Sequence, residues 1–417
     1  MSERPDSAAI SKKVNPWLIV GLLWPVAVLN YLDRQMLATM GLTIKADIAE
    51  LRSAEMFGYL MAIFMWVYAF CSPLGGALAD RLNRKWLIVL SLGVWSAVTL
   101  LMGRASGYSE LYRLRALMGI SEALYIPAGL ALIADYHPGP TRSIAIGVHM
   151  SGIYLGQALG GLGGWIAERI SWRIAFQGCG LIGIAYAVVL LALLKEFPRQ
   201  PRGQQNENSS GQIQKIHWMP FIILILCFTL PSLSGWAIKN WLPTLLQDRF
   251  ALKQTSSGLL ATMVAAGSSF VGVLVGGRLA DRWSVLNLRG RVKASACGLF
   301  LLAPALVAIG LAPGLPMVVL FTGVYGLGFG MFDANNMPIL CQIVPERFRS
   351  TGYGLLNFVA ISSGAYLTPL LGRLKDAGVP LGQGFALCAI PALVATILMA
   401  TMRLPSPKII ASSQPAN

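Results

Sequence analysis

Six ionisable side chains lie within or beside strongly apolar stretches of this chain, where an uncompensated charge is costly. At the centre of a bilayer that cost is roughly 2.5–3.5 kcal/mol on insertion scales, so such side chains pair with one another or line a wet cavity. Together they could bind an anion and exchange a proton, because desolvation favours a protonated carboxylate and a nearby arginine opposes it. The six residues are Asp33, Arg34, Arg115, Glu122, Lys239 and Asp333.

The spacing of four of these residues predicts how they meet. Arg115 and Glu122 are seven residues apart, which puts them on one helical face about 10 Å apart along the axis. Asp33 and Arg34 are adjacent, so their side chains diverge by ~100° and need different partners. We expect Asp33 to lie near Arg115 and Arg34 near Glu122, with Asp33 and Glu122 as proton-coupling carboxylates. A structural ion pair that only joins two helices is the alternative.

Other polar side chains in the apolar stretches are candidates for substrate contacts or for hydrogen bonds between helices. The densest group runs from Asp333 to Asn336, and the glycines at 326–330 predict close helix packing rather than a phosphate loop. The cations Arg34, Arg115 and Lys239 favour an anionic substrate. The uncharged candidates are Tyr31, Gln157, Asn240, Asn335 and Asn336.

The composition places these residues in a membrane protein. Of the 417 residues, 55% are hydrophobic and only 12% are charged, about half the ~25% of an average soluble domain. These values exclude disorder, a disulfide scaffold and most soluble enzyme folds. The net charge of +15 would suggest nucleic acid on a soluble chain. Because the basic residues fall mainly in short loops, membrane topology explains them and we predict no nucleic-acid partner.

The chain carries no signature of a metal site, a cofactor site or a membrane enzyme. Its six cysteines are scattered without a C-x-x-C pair, and its three histidines have no metal-ligand spacing. The motifs H-E-x-x-H, G-x-S-x-G and G-x-x-x-x-G-K are absent. We therefore predict no cofactor and no enzymatic activity.

Twelve apolar runs reach the length of about 20 residues that a membrane-spanning helix needs. They are twice as long as barrel strands and do not alternate, so they predict an all-α integral membrane protein. Polar residues precede the first run and no small-residue cleavage site follows, which indicates a retained span rather than a signal peptide. The runs begin near Pro16, Met56, Leu87, Ser109, Ser143, Ala175, His217, Ser256, Val292, Pro316, Arg349 and Gln383.

The loops predict the orientation and the division of the chain. With the N-terminus inside, the cytoplasmic segments hold 20 Lys and Arg residues and the outer loops hold 9, which is the positive-inside bias. Both termini are then cytoplasmic, and we expect a multi-pass protein of the inner (plasma) membrane. The polar stretch 198–216 predicts a cytoplasmic linker between two six-helix bundles, residues 1–197 and 217–417.

Two loop signatures occur once in each half of the chain. GGALADRLNRK from Gly75 corresponds to GGRLADRW from Gly276, and PGPTRSIAIG from Pro138 corresponds to PERFRSTGYG from Pro345. A duplicated six-span unit is the architecture of a carrier that rocks about a central site. Because acids contribute little to membrane orientation, we expect the acidic members to form salt bridges that gate the cytoplasmic mouth. The predicted gate residues are Gly76, Asp80, Arg81, Arg84, Asp281 and Arg282.

The first of these signatures resembles the loop motif G-x-x-x-D-R-x-G-R-K of the major facilitator superfamily. Gly76, Asp80 and Arg81 match it, and Asn83 stands where glycine is usual. Asparagine tolerates a left-handed backbone next best, so we expect the turn to survive. The resemblance covers essentially the whole chain and implies twelve helices in two pseudo-symmetric bundles.

Three further segments resemble the anion:cation symporter family, which carries hexuronates, galactonate, phthalate and similar acids. Asn30–Gln35 is similar to N-Y-x-D-R, and Trp241–Thr244 is similar to W-x-P-T. Arg115–Pro127 is similar to R-x-x-x-G-x-x-E-G-x-x-x-P, with Ala123 replacing the second glycine. The family includes a branch of vesicular glutamate transporters, which have a His in the second span and an Arg deep within the seventh span. This chain has neither. Spinster-like lipid transporters share the D-R and R-x-x-x-G-x-x-E elements.

These resemblances imply a secondary active transporter, a monomer whose partners are a small organic anion, a proton and the lipid bilayer. We expect proton-coupled symport of a sugar acid or other carboxylate by alternating access, with a spinster-like lipid or lysolipid transporter as the alternative. A channel is the rival from another class, but it requires neither a duplicated rocking architecture nor a buried acid.

Overall fold

Every apolar run in the described part of the chain forms one helix or two consecutive helices. The computed structural model describes residues 15–137, 141–197, 218–287, 289–345 and 348–404. The predicted linker at 198–216 lies outside these residues, and the division into domains at that point stays a prediction.

Among the described residues, eleven helical segments are long and apolar enough to cross a membrane. The fifth apolar run consists of two consecutive helices that meet at Gly160, and it completes the twelve predicted spans. The prediction of an all-α integral membrane fold is confirmed.

We number the spans in chain order. Spans 1 to 6 are Pro16–Thr39, Ala54–Arg81, Arg84–Met102, Tyr108–Glu122 with Tyr125–Tyr136, Arg142–Leu159 with Gly161–Arg169, and Trp172–Leu193. Spans 7 to 12 are Trp218–Phe250, Gln254–Leu286, Gly290–Leu311, Leu315–Asp333 with Asn336–Ile343, Arg349–Asp376, and Leu381–Leu387 with Ala389–Thr401. A short helix Gly41–Asp47 and a 3₁₀ turn Ala49–Arg52 join spans 1 and 2. We call the side of the molecule at which span 1 begins the Pro16 face and the side at which it ends the Thr39 face.

Spans 4 and 10 are interrupted in the same way. Each first helix ends at a carboxylate, Glu122 in span 4 and Asp333 in span 10. A proline follows five residues later in both, Pro127 and Pro338. Proline lacks the N–H that would bond the carbonyl four residues earlier, and its ring clashes with that carbonyl. Both spans therefore break directly after an acidic residue.

The first loop signature is mostly helical rather than a loop. Span 2 runs through Gly75 and ends at Arg81, so the connection to span 3 is only Leu82 and Asn83. Asn83 has φ −65° and ψ 119°, and its side chain accepts a hydrogen bond from the Trp86 N–H at 3.1 Å. The expected left-handed turn at Asn83 is wrong: the residue caps span 3, a position that favours asparagine.

The glycines of span 10 allow close helix packing, as predicted. A Cβ at Gly330 would clash with the backbone carbonyl of Ser269 in span 8, and a Cβ at Gly328 would lie 2.5 Å from the Gly298 carbonyl in span 9. Small residues at such crossings let helix backbones approach each other in a membrane. Span 10 is thereby held between spans 8 and 9.

The two halves of the chain are joined by polar contacts at the Thr39 face. Asp376, at the end of span 11, accepts hydrogen bonds from the Ser53 hydroxyl at 2.7 Å and from the Ala54 N–H at 2.9 Å, and so caps the start of span 2. The Gln254 side chain accepts from the Thr43 N–H at 3.0 Å and donates to the Gly164 carbonyl at 3.2 Å. These bonds close the Thr39 face between the halves.

Candidate functional site

A buried ion pair lies at the centre of the N-terminal half. Arg34 Nε of span 1 is 2.5 Å from Glu122 Oε2 of span 4, and the two side chains are 12% and 0% exposed. The expected pairing of Arg34 with Glu122 is confirmed. Because Glu122 ends the first helix of span 4, its carboxylate lies where the helix is already broken.

Aromatic rings surround Arg34 and the neighbouring cation Arg115. The Arg34 guanidinium lies 4.4 to 4.9 Å from the ring centroids of Tyr31, Phe64 and Tyr68. The guanidinium of Arg115 lies 4.8 Å from the same Phe64 ring. Ring faces attract cations most strongly where water is excluded. Two arginines and one glutamate thus share a largely apolar enclosure.

Several polar atoms of this enclosure have no hydrogen-bond partner among the described residues. They are Nη2 of Arg34, Oε1 of Glu122 and Nε of Arg115. Leaving a buried polar atom unpaired costs about 1–3 kcal/mol, and more when the group is charged. The site therefore has unused capacity to donate to an anion and to bind a proton.

Asp33 faces away from this pair, towards spans 3 and 6. Its carboxylate accepts hydrogen bonds from the Cys179 thiol at 2.7 Å and from the Thr99 hydroxyl at 3.4 Å. Within the described residues it makes no ion pair with Arg115, but the two charges lie close enough for electrostatic attraction, so the expected proximity holds without a direct contact. Adjacent residues on a helix point about 100° apart, and Arg34 already occupies the side that faces span 4. Asp33 is buried with neutral donors only.

A small cavity of about 30 Å³ lies between the two halves. Gln35 and Gln157 line it from the N-terminal half, and Lys239 lines it from the C-terminal half together with Tyr325 and other side chains. The Gln35 amide donates a hydrogen bond to the Lys239 carbonyl at 2.6 Å. Predicted residues from both halves thus meet across one interface.

Asp333 lies close to this interface and is held by neutral groups. Its carboxylate accepts hydrogen bonds from the Tyr154 hydroxyl at 3.2 Å and from the Asn336 amide at 3.3 Å. Tyr154 belongs to span 5, so its bond to Asp333 crosses between the halves. Lys239 lies close enough to Asp333 for electrostatic attraction without forming an ion pair within 4.0 Å.

Two of the predicted amide contacts serve helix packing. Asn240 donates to the Thr368 hydroxyl at 3.0 Å, and Asn335 donates to the Met331 carbonyl at 3.0 Å. Both bonds stay within the C-terminal half. A substrate role for these amides stays a prediction, as do the roles of the other predicted site residues.

The predicted gate residues form contacts within each half. Arg84 pairs with Asp135 of span 4, and Arg291 pairs with Asp281 at 3.1 Å. Arg81 and Arg282 are exposed. The Asp80 side chain and Glu346 lie outside the described residues. A gating role for this set therefore stays a prediction.

Sequence reasoning missed the aromatic and thiol neighbours of the charged residues. Phe64, Tyr68 and Cys179 are apolar or weakly polar, so nothing in their residue type singles them out within apolar spans. The sequence does carry one signal for the C-terminal acid: GISEALYIP at Gly119 and GMFDANNMP at Gly330 share the pattern G-x-x-acid-Ala-x-x-x-Pro, 211 residues apart. It identifies Asp333 as the repeat counterpart of Glu122.

Comparison with known proteins gives consistent matches along the chain. The family profile of the Major Facilitator Superfamily matches residues 23–289 and 224–416. A probable galactarate/D-glucarate transporter of Bacillus subtilis strain 168 is 26% identical over 381 residues, which cover 82% of this chain and 81% of the relative. The D-galactonate transporter of Escherichia coli O6:H1 is 26% identical over 413 residues, which cover 91% of each chain.

Spinster proteins also match. The protein spinster of Drosophila melanogaster is 26% identical over 284 residues, which cover 65% of this chain and 46% of the relative. The crystal structure of a bacterial homolog of the human lysosomal transporter Spinster, in an inward-facing and occupied conformation, superposes with a TM-score of 0.79 at 19% identity. The superposition covers 94% of this chain and 100% of that chain, which shows that the two proteins share a fold.

Proposed function

The chain belongs to the major facilitator superfamily, and from that premise we propose that it is a proton-coupled symporter of a small organic anion, a sugar acid or related carboxylate. Two relatives over most of its length are named as transporters of galactarate/D-glucarate and D-galactonate. In our proposal the protein works as a monomer in the inner membrane, with both termini in the cytoplasm.

The observation that carries the proposal is the buried Arg34–Glu122 pair with an unpartnered atom on each member. While Glu122 is ionised, it occupies the Arg34 guanidinium. Protonation removes that negative charge, and the planar fork of Arg34 becomes available to hold a substrate carboxylate at two points. The unpartnered Nε of Arg115 adds a second donor. Proton binding and anion binding then favour each other, as symport requires.

Alternating access fits the way the halves are joined. The contacts of Asp376 and Gln254 close the Thr39 face, which is the outer side in the proposed orientation. The described conformation is then closed to the outside. Asp33, buried against Cys179 and Thr99, is the second proposed proton carrier of the cycle.

The test uses purified full-length protein in proteoliposomes with an imposed pH gradient, acid outside. We expect the wild type to accumulate radiolabelled D-galactonate or galactarate against its gradient. Glu122→Gln keeps the size of the side chain but cannot release a proton. It should lose accumulation while retaining counterflow exchange, which requires no proton movement. Glu50→Gln, the same change at an exposed position, is the matched control and should transport as wild type does.

Each result decides a different part of the proposal. Gradient-driven accumulation by Glu122→Gln equal to wild type would refute proton coupling at Glu122. Current that does not saturate with substrate would indicate a channel. Absence of saturable binding of either sugar acid would refute the substrate class.

The match to spinster proteins favours one alternative, a lipid or lysolipid transporter. The same proteoliposomes decide this with a labelled lysolipid. Saturable lysolipid movement that D-galactonate does not inhibit would favour the alternative. On our proposal, unlabelled D-galactonate inhibits the uptake of a labelled sugar acid, and no saturable lysolipid movement is observed.

A further inference from the structure

The C-terminal half repeats the arrangement that places the Arg34–Glu122 pair. Asp333 follows Glu122 by 211 residues within the shared pattern G-x-x-acid-Ala-x-x-x-Pro. Both acids end the first helix of an interrupted span, and both spans break for the same reason, a proline five residues later. The backbone therefore delivers a carboxylate to equivalent positions in the two halves.

The cation of the pair is repeated as well. Lys239 of span 7 follows Arg34 of span 1 by 205 residues, within the range of 201 to 211 residues that separates the other repeated elements of the two halves. The bond from the Gln35 amide to the Lys239 carbonyl, 2.6 Å long, brings the two cationic positions next to each other across the interface. Arg34 and Lys239 are thus neighbours, one from each half.

The two halves differ in whether the cation and the acid form an ion pair: Arg34 and Glu122 do, and Lys239 and Asp333 do not. Within the described residues the Lys239 ammonium makes no hydrogen bond and no ion pair, and its Nζ lies 5.1 Å from the centroid of the Trp236 ring. Asp333 is bonded instead to the neutral donors Tyr154 and Asn336. A partly buried ammonium beside a cavity, without a salt bridge, is a binding point for an anionic group.

We propose that Lys239 and Asp333 form a second charged subsite, in which Lys239 binds a second anionic group of the substrate and Asp333, which attracts Lys239 without pairing with it, competes with that group. The inference rests on the proposed function and narrows it: the preferred substrate carries two carboxylates. Arg34 binds one and Lys239 binds the other, so the substrate bridges the two halves. Tyr154 and Asn336 retain Asp333 when Lys239 turns to the substrate.

A comparison of two sugar acids measures how much the second carboxylate contributes to binding. Galactarate and D-galactonate have the same carbon chain and differ at one end, where galactarate has a carboxylate and galactonate has a hydroxymethyl group. The ratio of their dissociation constants, measured by calorimetry or by tryptophan fluorescence on purified full-length protein, reports the second cation. We expect wild type to bind galactarate more tightly than galactonate.

Changes at the two members of the subsite should move this ratio in opposite directions. Lys239→Gln should raise the Kd for galactarate by about tenfold, the size expected for one charged hydrogen bond, and leave galactonate almost unchanged. Lys239→Arg should keep the wild-type preference. Asp333→Asn should tighten galactarate, because the competing counter-ion is removed and the amide keeps the same size. A merely destabilised variant would not bind more tightly, so this second change keeps the test informative.

The control and the contrary outcomes are distinct. Lys253→Gln removes an exposed cation and should change neither Kd. An equal loss for both acids in Lys239→Gln, or weaker galactarate binding in Asp333→Asn, would overturn the subsite and leave the proposed transport of sugar acids intact. A wild type that binds galactonate at least as tightly as galactarate would do the same. A wild type that binds neither acid would refute the proposed function and the subsite together.

Discussion

The two halves carry the same broken-helix device but hold their acids differently. In the N-terminal half Glu122 is fully buried and bonded to Arg34 at 2.5 Å, within an enclosure of aromatic rings. In the C-terminal half Asp333 is only partly buried and bonded to neutral donors, and Lys239 lies near it without forming an ion pair. Arg34 can bind an anion only after the carboxylate of Glu122 has been neutralised. Lys239 forms no ion pair in the described residues, so its ammonium can bind an anion directly. In our proposal, the first half provides the proton dependence and the second half selects the charge of the substrate.

The largest expected effect sharpens this contrast at the cations. Arg34→Lys should raise the Kd for galactonate by about 30-fold, corresponding to about 2 kcal/mol, because lysine cannot reproduce the two-point contact of the guanidinium. Its ring contacts with Tyr31, Phe64 and Tyr68 also weaken. Lys239→Arg should change the same constant by less than twofold. Titration of each purified variant with galactonate measures both values.

The outcome has a clear converse. Equal effects of the two exchanges would mean that the halves do not differ in how they use their cations. A wild-type affinity and a wild-type pH profile in Arg34→Lys would reduce Arg34 to a structural charge partner.

A moderate effect is expected at the repeated glycines that precede the acids. A Cβ at Gly119 would lie 2.8 Å from the Phe64 carbonyl, and one at Gly330 would lie closer still to the Ser269 carbonyl. Overpacking against backbone costs about 1–3 kcal/mol, so Gly330→Ala should lower thermal stability in detergent more than Gly119→Ala. Gly277→Ala, which would meet nothing within 4 Å, is the control. The reverse order of the first two variants would contradict tighter packing in the C-terminal half.

The sequence was sufficient to predict the fold because each span is a long local signal. Apolar runs, two repeated signatures and the resemblance they carry predict twelve helices of the major facilitator fold, and the helices and the family match confirm this. The prediction of a transporter follows from the same family. The prediction of a left-handed turn at Asn83 was wrong because Asn83, in a connection of only two residues, instead caps the next helix with its side chain.

The site was only partly predictable, because pairing depends on how helices rotate against one another. Arg34 and Glu122 could be paired from their types and helical faces. The hydrogen-bond partners of Asp33 could not be predicted, since Cys179 and Thr99 carry little charge information. Whether Lys239 pairs with Asp333 depends on the distance between spans 7 and 10, which sequence spacing does not determine.

The smallest expected effect concerns the hydrogen bond that joins span 5 of the N-terminal half to Asp333 of the C-terminal half. The Tyr154 hydroxyl donates to Asp333 at 3.2 Å, while its ring packs 5.9 Å from the Phe270 ring, centroid to centroid. Tyr154→Phe removes the bond and keeps the ring. One hydrogen bond contributes about 1 kcal/mol, so the described conformation should lose about fivefold in population relative to the one open at the Thr39 face.

The reporter for this change is Ala261→Cys, at a buried position that lines the cavity between the halves. Its rate of maleimide labelling follows the population in which the Thr39 face is open. Tyr154→Phe should raise that rate about fivefold, the factor that corresponds to one hydrogen bond. Tyr59→Phe, at an exposed position, should leave it unchanged. Because the bond joins span 5 to the acid of span 10, faster labelling would mean that the C-terminal charge site also holds the halves together. An unchanged rate would confine Asp333 to its own half and leave closure to the contacts of Asp376 and Gln254.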